Sequence, residues 1–442
     1  MNRTLFVRNR RWFLIGLLAL VGVAVFWTFS PGMPVLIGPW AWGSEKQLGE
    51  ELFNHEWKPN DSLAKGDGVG PVFNDVSCVA CHNQGGVGGG GDNSHNVHNY
   101  EVLPSERDRE LRSGTVHAFS TDPKLKESFT LVRNRFPIIR GSTRTETRDH
   151  CSYTITIPDV DPLRQDTVQT TALFGAGWID KIPSKAITSA RRNYMFGSFL
   201  KELKAEFDSI PPGRVRILED GRVGKFGWKA QFATLEEFVA AACANELGLG
   251  TPISQQAQPF GSGYPEQEPD LNRKQFNALV AFVNTLPKPI EASPAATEER
   301  DRAARGKDLF HSTGCAVCHT PNLGGVKGVY SDFLLHSLTD GQGEGGAPSY
   351  GTRRPDVPLP DRHPAESDWK TPPLWGVADS APYMHDGSAP TLLGAIFAHG
   401  GEAKSVRERF NQLGGQDQQA IVAFLNTLKA PPQAKPVQTA RK

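Results

Sequence analysis

Two copies of a Cys-x-x-Cys-His motif constrain this chain more than any other feature of its sequence. The copies comprise Cys78, Cys81 and His82, and Cys315, Cys318 and His319. This pattern is typical of covalent c-type haem attachment: both thiols bond to the porphyrin vinyl groups and the histidine ligates the iron. A redox dithiol or half of a zinc site would leave the adjoining histidines unexplained. We therefore expect two covalently bound haem c groups.

The N-terminal segment has the features of a membrane anchor. Four arginines between positions 3 and 11 precede an apolar run from Trp12 to about Phe29, which is near the lower length limit for a membrane-spanning helix. No convincing small-x-small cleavage site follows this run. We expect an uncleaved anchor over 1–30, a tether over 31–48, and a periplasmic body, according to the positive-inside rule. A cleaved signal peptide is the alternative.

The composition excludes one functional class and leaves one question open. Lys plus Arg and Asp plus Glu both number 48, so nothing indicates a nucleic-acid-binding surface. Four of the six cysteines belong to the haem motifs, which leaves Cys151 and Cys243. These two could form a disulfide in an oxidising compartment, or they could be separate buried thiols.

An internal repeat divides the body of the chain. The segment 49–53 precedes the first haem motif as 306–310 precedes the second, and the apolar segment 278–286 recurs at 420–428. Both apolar segments have helical spacing. The predicted organisation is a first cytochrome c-type domain over 49–286, a linker over 287–305, a second domain over 306–430 and a disordered tail over 431–442.

The first copy is about twice as long as the second, and the excess lies mostly over 100–165. Within it, the alternating β-branched segment 153–157 indicates a strand. The predicted fold is therefore mainly α: two cytochrome c-type domains in tandem, with a small β-rich insertion in the first and an N-terminal membrane anchor helix.

Several histidines are candidates for the sixth ligand of an iron. A helix capped by Thr391 places His399 on its apolar face, so we expect His399 to ligate the second haem, with Met384 as the rival. After the first motif, a glycine-rich loop leads to His95 and His98. Either of them could ligate the first iron, or both could be surface histidines.

A capping box separates two neighbouring glutamates. Thr234 is expected to cap a helix, with Glu237 bonding back to the threonine N–H. Glu237 is therefore a structural residue by prediction, whereas Glu236 is left available for acid/base function.

Five segments carry a resemblance to a known family: 70–74, 173–177, 226–230, 381–387 and 399–403. Over about 48–428 the sequence resembles the bacterial di-haem cytochrome c peroxidase and MauG superfamily. Within it, the sequence is most similar to the branch called di-haem oxidoreductase, putative peroxidase. The resemblance implies that the first haem reacts with peroxide. It also implies that the second haem takes electrons from a small donor protein, a cytochrome c or a cupredoxin.

The resemblance also implies roles for particular residues. Glu236 stands at the position of the family's acid/base glutamate, and Trp228 at that of its tryptophan. His399 lies fourteen residues beyond His385, where the family has its second-haem ligand. Two departures stand out: Lys229 and Ala230 replace the family's Asp-Gly-Arg, and Gln169 replaces an asparagine that helps to hold calcium. The second change weakens the case for calcium.

The function expected from these features is reduction of hydrogen peroxide by a membrane-tethered di-haem enzyme. The first alternative is an oxidase of the MauG or rubber-oxygenase kind, acting on a protein or organic substrate. The second is a non-catalytic di-haem electron carrier, which permanent ligation of the first iron by His95 or His98 would favour.

Overall fold

The structure is a computed structural model that describes residues 39–102, 112–125, 128–148, 151–197, 212–259, 265, 267–338 and 367–437. Met1–Ser44 and Glu45–Lys442 are two compact units, and both haem motifs belong to the second. The predicted anchor over 1–30 lies outside the described residues, as does part of the tether. No helix in the described ranges is long and apolar enough to cross a membrane.

The described chain contains eleven α-helices, several of them short. They are α1 (Pro39–Asn54), α2 (Cys78–Cys81), α3 (Ser128–Arg135), α4 (Ala176–Asp180), α5 (Ser184–Gly197), α6 (Leu235–Glu246), α7 (Arg273–Asn284), α8 (Thr297–Thr313), α9 (Leu392–Ala398), α10 (Lys404–Gln412) and α11 (Gly415–Leu425).

The strands of this part of the chain are short and antiparallel. They are β1 (Val72–Phe73), β2 (Val97–Val102), β3 (Arg112–Val116), β4 (Phe119–Ser120), β5 (Ser142–Arg148), β6 (Cys151–Ile157), β7 (Leu163–Val168), β8 (Ile290–Glu291), β9 (Asn322–Leu323), β10 (Val326–Lys327), β11 (Leu335–Ser337), β12 (Asp368–Lys370) and β13 (Leu428–Lys429).

Two equivalent helix crossings form the framework of the molecule. Gly49 of α1 lies so close to α7 that a Cβ there would be 1.9 Å from the Ala278 carbonyl oxygen. Gly306 of α8 approaches α11 in the same way, 1.8 Å from the Ala420 oxygen. Glycine is required at both crossings because any side chain would collide with the facing backbone. The sequence repeat therefore corresponds to a repeated structural contact.

The aromatic packing beside each crossing is also repeated. Phe53 lies 5.2 Å from Phe282 between ring centres, and Phe310 lies 5.3 Å from Phe424. The same two phenylalanines pack near the motif histidines, Phe53 at 6.3 Å from His82 and Phe310 at 6.4 Å from His319. Each crossing thus places one haem motif against a buried aromatic pair.

The predicted β-rich insertion is confirmed. A three-stranded sheet has the order β3-β2-β7, and β5 and β6 form a separate antiparallel pair. The predicted strand over 153–157 lies within β6. Because of these and the smaller sheets, the fold of the described residues is mixed helix and sheet rather than mainly α.

The start of the predicted disordered tail is packed. The backbone N–H of Val87 donates to the Lys435 carbonyl at 2.8 Å, and Val437 packs against the main hydrophobic core. Residues 431–437 therefore have a defined structure beside the first haem motif. The limits of the two predicted domains stay a prediction.

Candidate di-haem site

The first motif forms a short capped helix with its histidine facing a cavity. The Ser77 hydroxyl caps α2 by accepting from the Ala80 N–H at 3.3 Å. The Nδ1–H of His82 donates to the Gly89 carbonyl at 3.1 Å, which leaves the Nε2 lone pair available for a metal. Burial lowers the pKa of His82 to about 4, so the ring is neutral, as a metal ligand must be.

The acceptor for His82 depends on a backbone that only glycine permits. A Cβ at Gly89 would lie 1.7 Å from the Gln84 carbonyl oxygen, across the Gln84–Gly90 bridge. The glycine-rich loop thus positions the hydrogen-bond acceptor of the proximal histidine by close backbone packing.

The second motif has the same arrangement with a different acceptor. The Nδ1–H of His319 donates to the carbonyl of Tyr330 at 3.1 Å. Burial, together with the nearby His399 ring, lowers the pKa of His319 to about 4. His319 is therefore also neutral and presents Nε2 to its cavity.

His399 faces His319 across the second cavity. Thr391 caps α9 by accepting from the Gly394 N–H at 3.0 Å, and His399 follows the last turn with its Nδ1–H donating to the Ala395 carbonyl at 2.7 Å. The two imidazole centres are 6.4 Å apart. Two imidazoles on opposite sides of one metal ion, each about 2 Å from it, would have centres roughly 6 Å apart.

The second cavity suits a haem in its lining as well. Its volume is about 300 Å³, and its lining is largely apolar but includes the cationic side chains Lys225, Lys370 and Arg407 and the carboxylate of Glu402. Burial lowers the pKa of Lys370 to about 8. The Asp332 carboxylate opposes this shift, and the two propionates of a bound haem would add negative charge in the cavity that Lys370 lines. Met384 lines the same cavity, but the ring opposite His319 is His399.

The first cavity is smaller and differently charged. Its volume is about 90 Å³, and its described lining contains His82 but no other histidine, no methionine and no lysine or arginine. Apart from the motif residues and Cys243, Glu246 is the ionisable residue of this described lining. Its carboxylate accepts a hydrogen bond from the Asn74 amide at 2.8 Å. This cavity offers one axial ligand where the second offers two.

A shared wall separates the cavities. Seven residues line both of them: Gln169, Thr170, Thr171, Leu173, Gly227, Trp228 and Phe238. Trp228 is fixed in this wall because its indole N–H donates to the Gln169 carbonyl at 2.8 Å. The indole therefore lies between the two expected haem positions.

A family model and two curated relatives match parts of this chain. Residues 259–428 match the family described as di-haem oxidoreductase, putative peroxidase. The family resemblance is confirmed for this part of the chain. The match includes the second haem motif and His399, and it supports an oxidoreductase with haem c cofactors.

Two characterised proteins are similar to parts of this chain. Methylamine utilization protein MauG of Methylorubrum extorquens is 29% identical over 187 residues, covering 40% of this chain and 49% of the relative. Cytochrome c551 peroxidase of Nitrosomonas europaea is 26% identical over 228 residues, covering 49% of this chain and 60% of the relative. The chain thus spans about half to three-fifths of the length of these relatives.

A solved structure of a MauG-like protein associated with microbial copper homeostasis is also similar. It is 19% identical, with alignment over 57% of this chain and 93% of that one, and the TM-score is 0.30. A similarity of this size carries no argument about fold or function.

Glu236 lies away from both cavities. The predicted capping box is confirmed, with Glu237 and Thr234 exchanging hydrogen bonds of 3.2 Å. Glu236 is exposed at the start of α6, and its carboxylate lies 3.3 Å from the Arg273 guanidinium. The residues of α6 that line the first cavity are apolar until Glu246 at its end. The structure thus brings Trp228, but not Glu236, to the first cavity.

His95 and His98 do not line the first cavity either. The Nδ1 of His95 is 3.2 Å from the Asp75 carboxylate and 3.5 Å from the Cys81 sulfur. His98 is exposed, with Nδ1 3.0 Å from the Thr167 hydroxyl. Neither ring is placed opposite His82.

A second Asp–His pair, which sequence reasoning missed, lies beside the other motif. The Nε2 of His336 is 3.1 Å from the Asp332 carboxylate, and its Nδ1 is 2.8 Å from Glu402 and 3.9 Å from the Cys318 sulfur. It corresponds to the Asp75–His95 pair beside Cys81. The spacing from cysteine to histidine, 14 residues in one case and 18 in the other, conceals this correspondence in the sequence.

Lys229, one of the departures from the family pattern, is buried behind the shared wall. Its ammonium donates to the Asp368 carbonyl at 2.8 Å and lies 3.4 Å from the centre of the Trp369 ring. The other face of Trp369 stacks on His385, with ring centres 3.7 Å apart. Lys229 thus stabilises Trp369, which lines the second cavity, through a cation–π contact.

The remaining cysteines and Gln169 have separate positions. Cys151 is exposed on β6 and Cys243 is buried on α6, and both are free thiols. Cys243 lines the first cavity. The Gln169 amide donates to the carbonyls of Gly91 at 3.2 Å and Pro382 at 2.6 Å, which ties the first haem loop to the second half of the chain. A calcium site, for which Gln169 in place of asparagine already weakens the case, stays an untested prediction.

Proposed function

We propose that this protein reduces hydrogen peroxide at its first haem, with electrons supplied through the second haem by a small donor protein, a cytochrome c or a cupredoxin. The observation that carries the proposal is the difference in axial ligands. His319 faces His399 across the second cavity, whereas the described lining of the first cavity offers only His82.

This difference assigns the two roles. When bound, a haem iron with an open position can bind peroxide, and one with both positions filled is suited to electron transfer. His82 and His319 would ligate the two haem irons through neutral rings, each oriented by a backbone carbonyl. His399 would supply the second protein ligand to the haem of the second cavity.

Trp228 connects the two sites in this proposal. Its indole lines both cavities and is fixed by the Gln169 carbonyl, so it offers an aromatic path for electrons across the wall. A replacement by phenylalanine would keep the packing but remove the hydrogen bond.

Peroxide reduction also needs a group that accepts and returns a proton. The family resemblance assigns this role to Glu236, whereas the geometry favours Glu246, whose side chain lines the first cavity. Glu236 is exposed and paired with Arg273. We propose Glu246 as the proton carrier and keep Glu236 as the competing assignment.

The spin states of the oxidised protein test the assignment of roles. Electron paramagnetic resonance should show one high-spin and one low-spin ferric haem. Two low-spin signals would instead support an electron carrier. Stopped-flow mixing of the mixed-valence protein with peroxide should then change the spectrum of the first haem, and no change there would overturn the proposal.

The similarity to MauG favours a second candidate function, oxidation of a protein or organic substrate at the same site. The two functions differ in what sustains turnover. A reduced cytochrome c or cupredoxin should support continuous peroxide consumption without another substrate if the first proposal is correct.

The proposal includes a periplasmic location with membrane attachment through residues 1–30.

A further inference from the structure

Two hydrogen bonds, one to the backbone and one from the side chain of Tyr330, connect the second motif histidine to the segment between the two repeats. His319 donates to the Tyr330 carbonyl at 3.1 Å, and the Tyr330 hydroxyl donates to the Glu291 carboxylate at 2.9 Å. Glu291 lies in β8, and the Lys307 ammonium donates to its two oxygens at 2.7 and 2.9 Å. The contacts lead from a buried cavity to a half-exposed ion pair.

Burial, two aromatic contacts and the hydrogen bond to Glu291 fix the Tyr330 side chain. It is 2% exposed and makes edge-on contacts with Phe310 and Phe424, with ring centres 6.1 and 5.6 Å away. Burial and the nearby Glu291 carboxylate raise the pKa of the phenol to about 12, so it stays a hydrogen-bond donor. The phenol therefore holds one orientation.

The Tyr330 backbone adopts a conformation that its own side chain disfavours. Its φ is +50°, in the left-handed region that favours glycine. A bulky residue persists there only where the surrounding contacts hold it. The aromatic packing and the bond to Glu291 supply those contacts, and the result is a carbonyl directed at His319.

The first motif achieves the same bond without any side chain. Its acceptor is the Gly89 carbonyl, positioned by backbone packing against Gln84. Only the second motif places its acceptor on a residue whose side chain reaches out of the cavity to another segment. Its hydrogen bond can therefore be changed from a distance.

We propose that Tyr330 is a positioning residue that sets the reduction potential of the second haem, and that Glu291 acts through it. A hydrogen bond to Nδ1 makes the imidazole a stronger electron donor to iron, which stabilises the ferric state and lowers the potential. Loss of the phenol–carboxylate bond frees the Tyr330 backbone and weakens that effect. The inference rests on the proposed ligation of the second haem by His319.

The test is the midpoint potential of each haem, measured by spectroelectrochemical titration of the full-length, haem-loaded protein. Tyr330→Phe removes the hydroxyl without changing any charge and keeps the ring packing. It should raise the potential of the second haem and leave that of the first unchanged. The first haem is thus an internal control in every sample.

A double-mutant cycle separates positioning from simple electrostatics. Glu291→Gln also removes a negative charge, and this alone would raise the potential. If Glu291 acts through Tyr330, its effect should be smaller in the Tyr330→Phe background than in the native protein. Tyr153→Phe, at an exposed phenol of β6, is the matched control and should shift neither potential.

An unchanged second potential in Tyr330→Phe, with native haem content and melting temperature, would overturn the inference. So would equal shifts of both haems, or fully additive effects of the two substitutions. These measurements need no peroxide turnover. An inactive protein with the expected shift would refute the proposed function alone, and an active protein without the shift would refute this inference alone.

Discussion

The two haem cavities share a framework and differ in what surrounds it. In both, a glycine allows two helices to cross closely, and a phenylalanine packs with its ring centre 6.3 or 6.4 Å from that of the motif histidine. In both, the histidine is neutral and borders the cavity. The opposite sides differ: His399 lies across the second cavity from His319, whereas Val239, Ala242 and Glu246 of α6 line only the first. The repeated unit therefore positions the motif histidine in both halves, and residues from other segments make the two cavities different.

The two cavities also differ in the charges of their lining side chains. Three cationic side chains and the Glu402 carboxylate, which pairs with His336, line the second cavity, whereas the described lining of the first has the Glu246 carboxylate and no lysine or arginine. Positive charge near an iron favours the reduced state, so the second haem is expected to have the higher potential. Electrons arriving from a donor would then fill the second haem before the first.

The largest expected effect is that of removing the closing ligand. His399→Ala should convert the second haem completely from low-spin to high-spin and leave the first unchanged, because His399 is the ring opposite His319. Electron paramagnetic resonance of the oxidised protein measures this. Met384→Ala is the matched control. A low-spin second haem surviving in His399→Ala, but lost in the double variant, would assign the ligand to Met384.

The next largest expected effect distinguishes the roles of Glu236 and Glu246 in α6. Glu246→Gln should lower peroxide turnover by about 10²–10⁴-fold, the usual contribution of a general acid or base. Glu236→Gln should have little effect, because its carboxylate is exposed and pairs with Arg273. Steady-state turnover of variants with equal haem content measures both. The opposite result would restore the assignment made from the family resemblance.

A smaller effect tests how the first motif holds its histidine. Gly89→Ala places a Cβ 1.7 Å from the Gln84 carbonyl oxygen, so the loop must shift and the bond to His82 must weaken. We expect the free energy of unfolding to fall by about 1–3 kcal/mol, as for other overpacked sites. Gly414→Ala is the control, since a Cβ there meets nothing within 4 Å. Equal stability of the two variants in chemical denaturation would contradict this account.

The smallest expected effect is on reduction potential, and it tests the difference in lining charge between the two cavities. Lys370→Met removes a buried cation from the second cavity and should lower the potential of that haem by roughly tens of millivolts, with the first haem unchanged. Lys229→Met is the comparison, because this lysine lies behind the wall and pairs with Trp369. If both variants shift the two haems equally, the lining charges do not distinguish the cavities.

Local patterns in the sequence determined much of this protein. The haem motifs, the Thr234 capping box and the strand in β6 depend on short spacings, and the structure has the last two where the sequence predicts them. The paired helices were detected because duplicated segments retain the same apolar period. The sequence also located His399 near the second cavity, although the helix ends at Ala398 and His399 follows it as the C-cap residue, bonded back to the Ala395 carbonyl.

Only the tertiary structure decided which polar groups reach the cavities. Glu236 and Glu246 lie on one helix, and their different environments come from segments distant in sequence, Arg273 for one and Asn74 for the other. The approach of Glu291 to Tyr330 and the place of His336 between Asp332 and Glu402 likewise depend on how distant segments pack. Spacing along one chain specifies a helix face or a strand face, whereas contacts between distant segments are set by packing of the whole core.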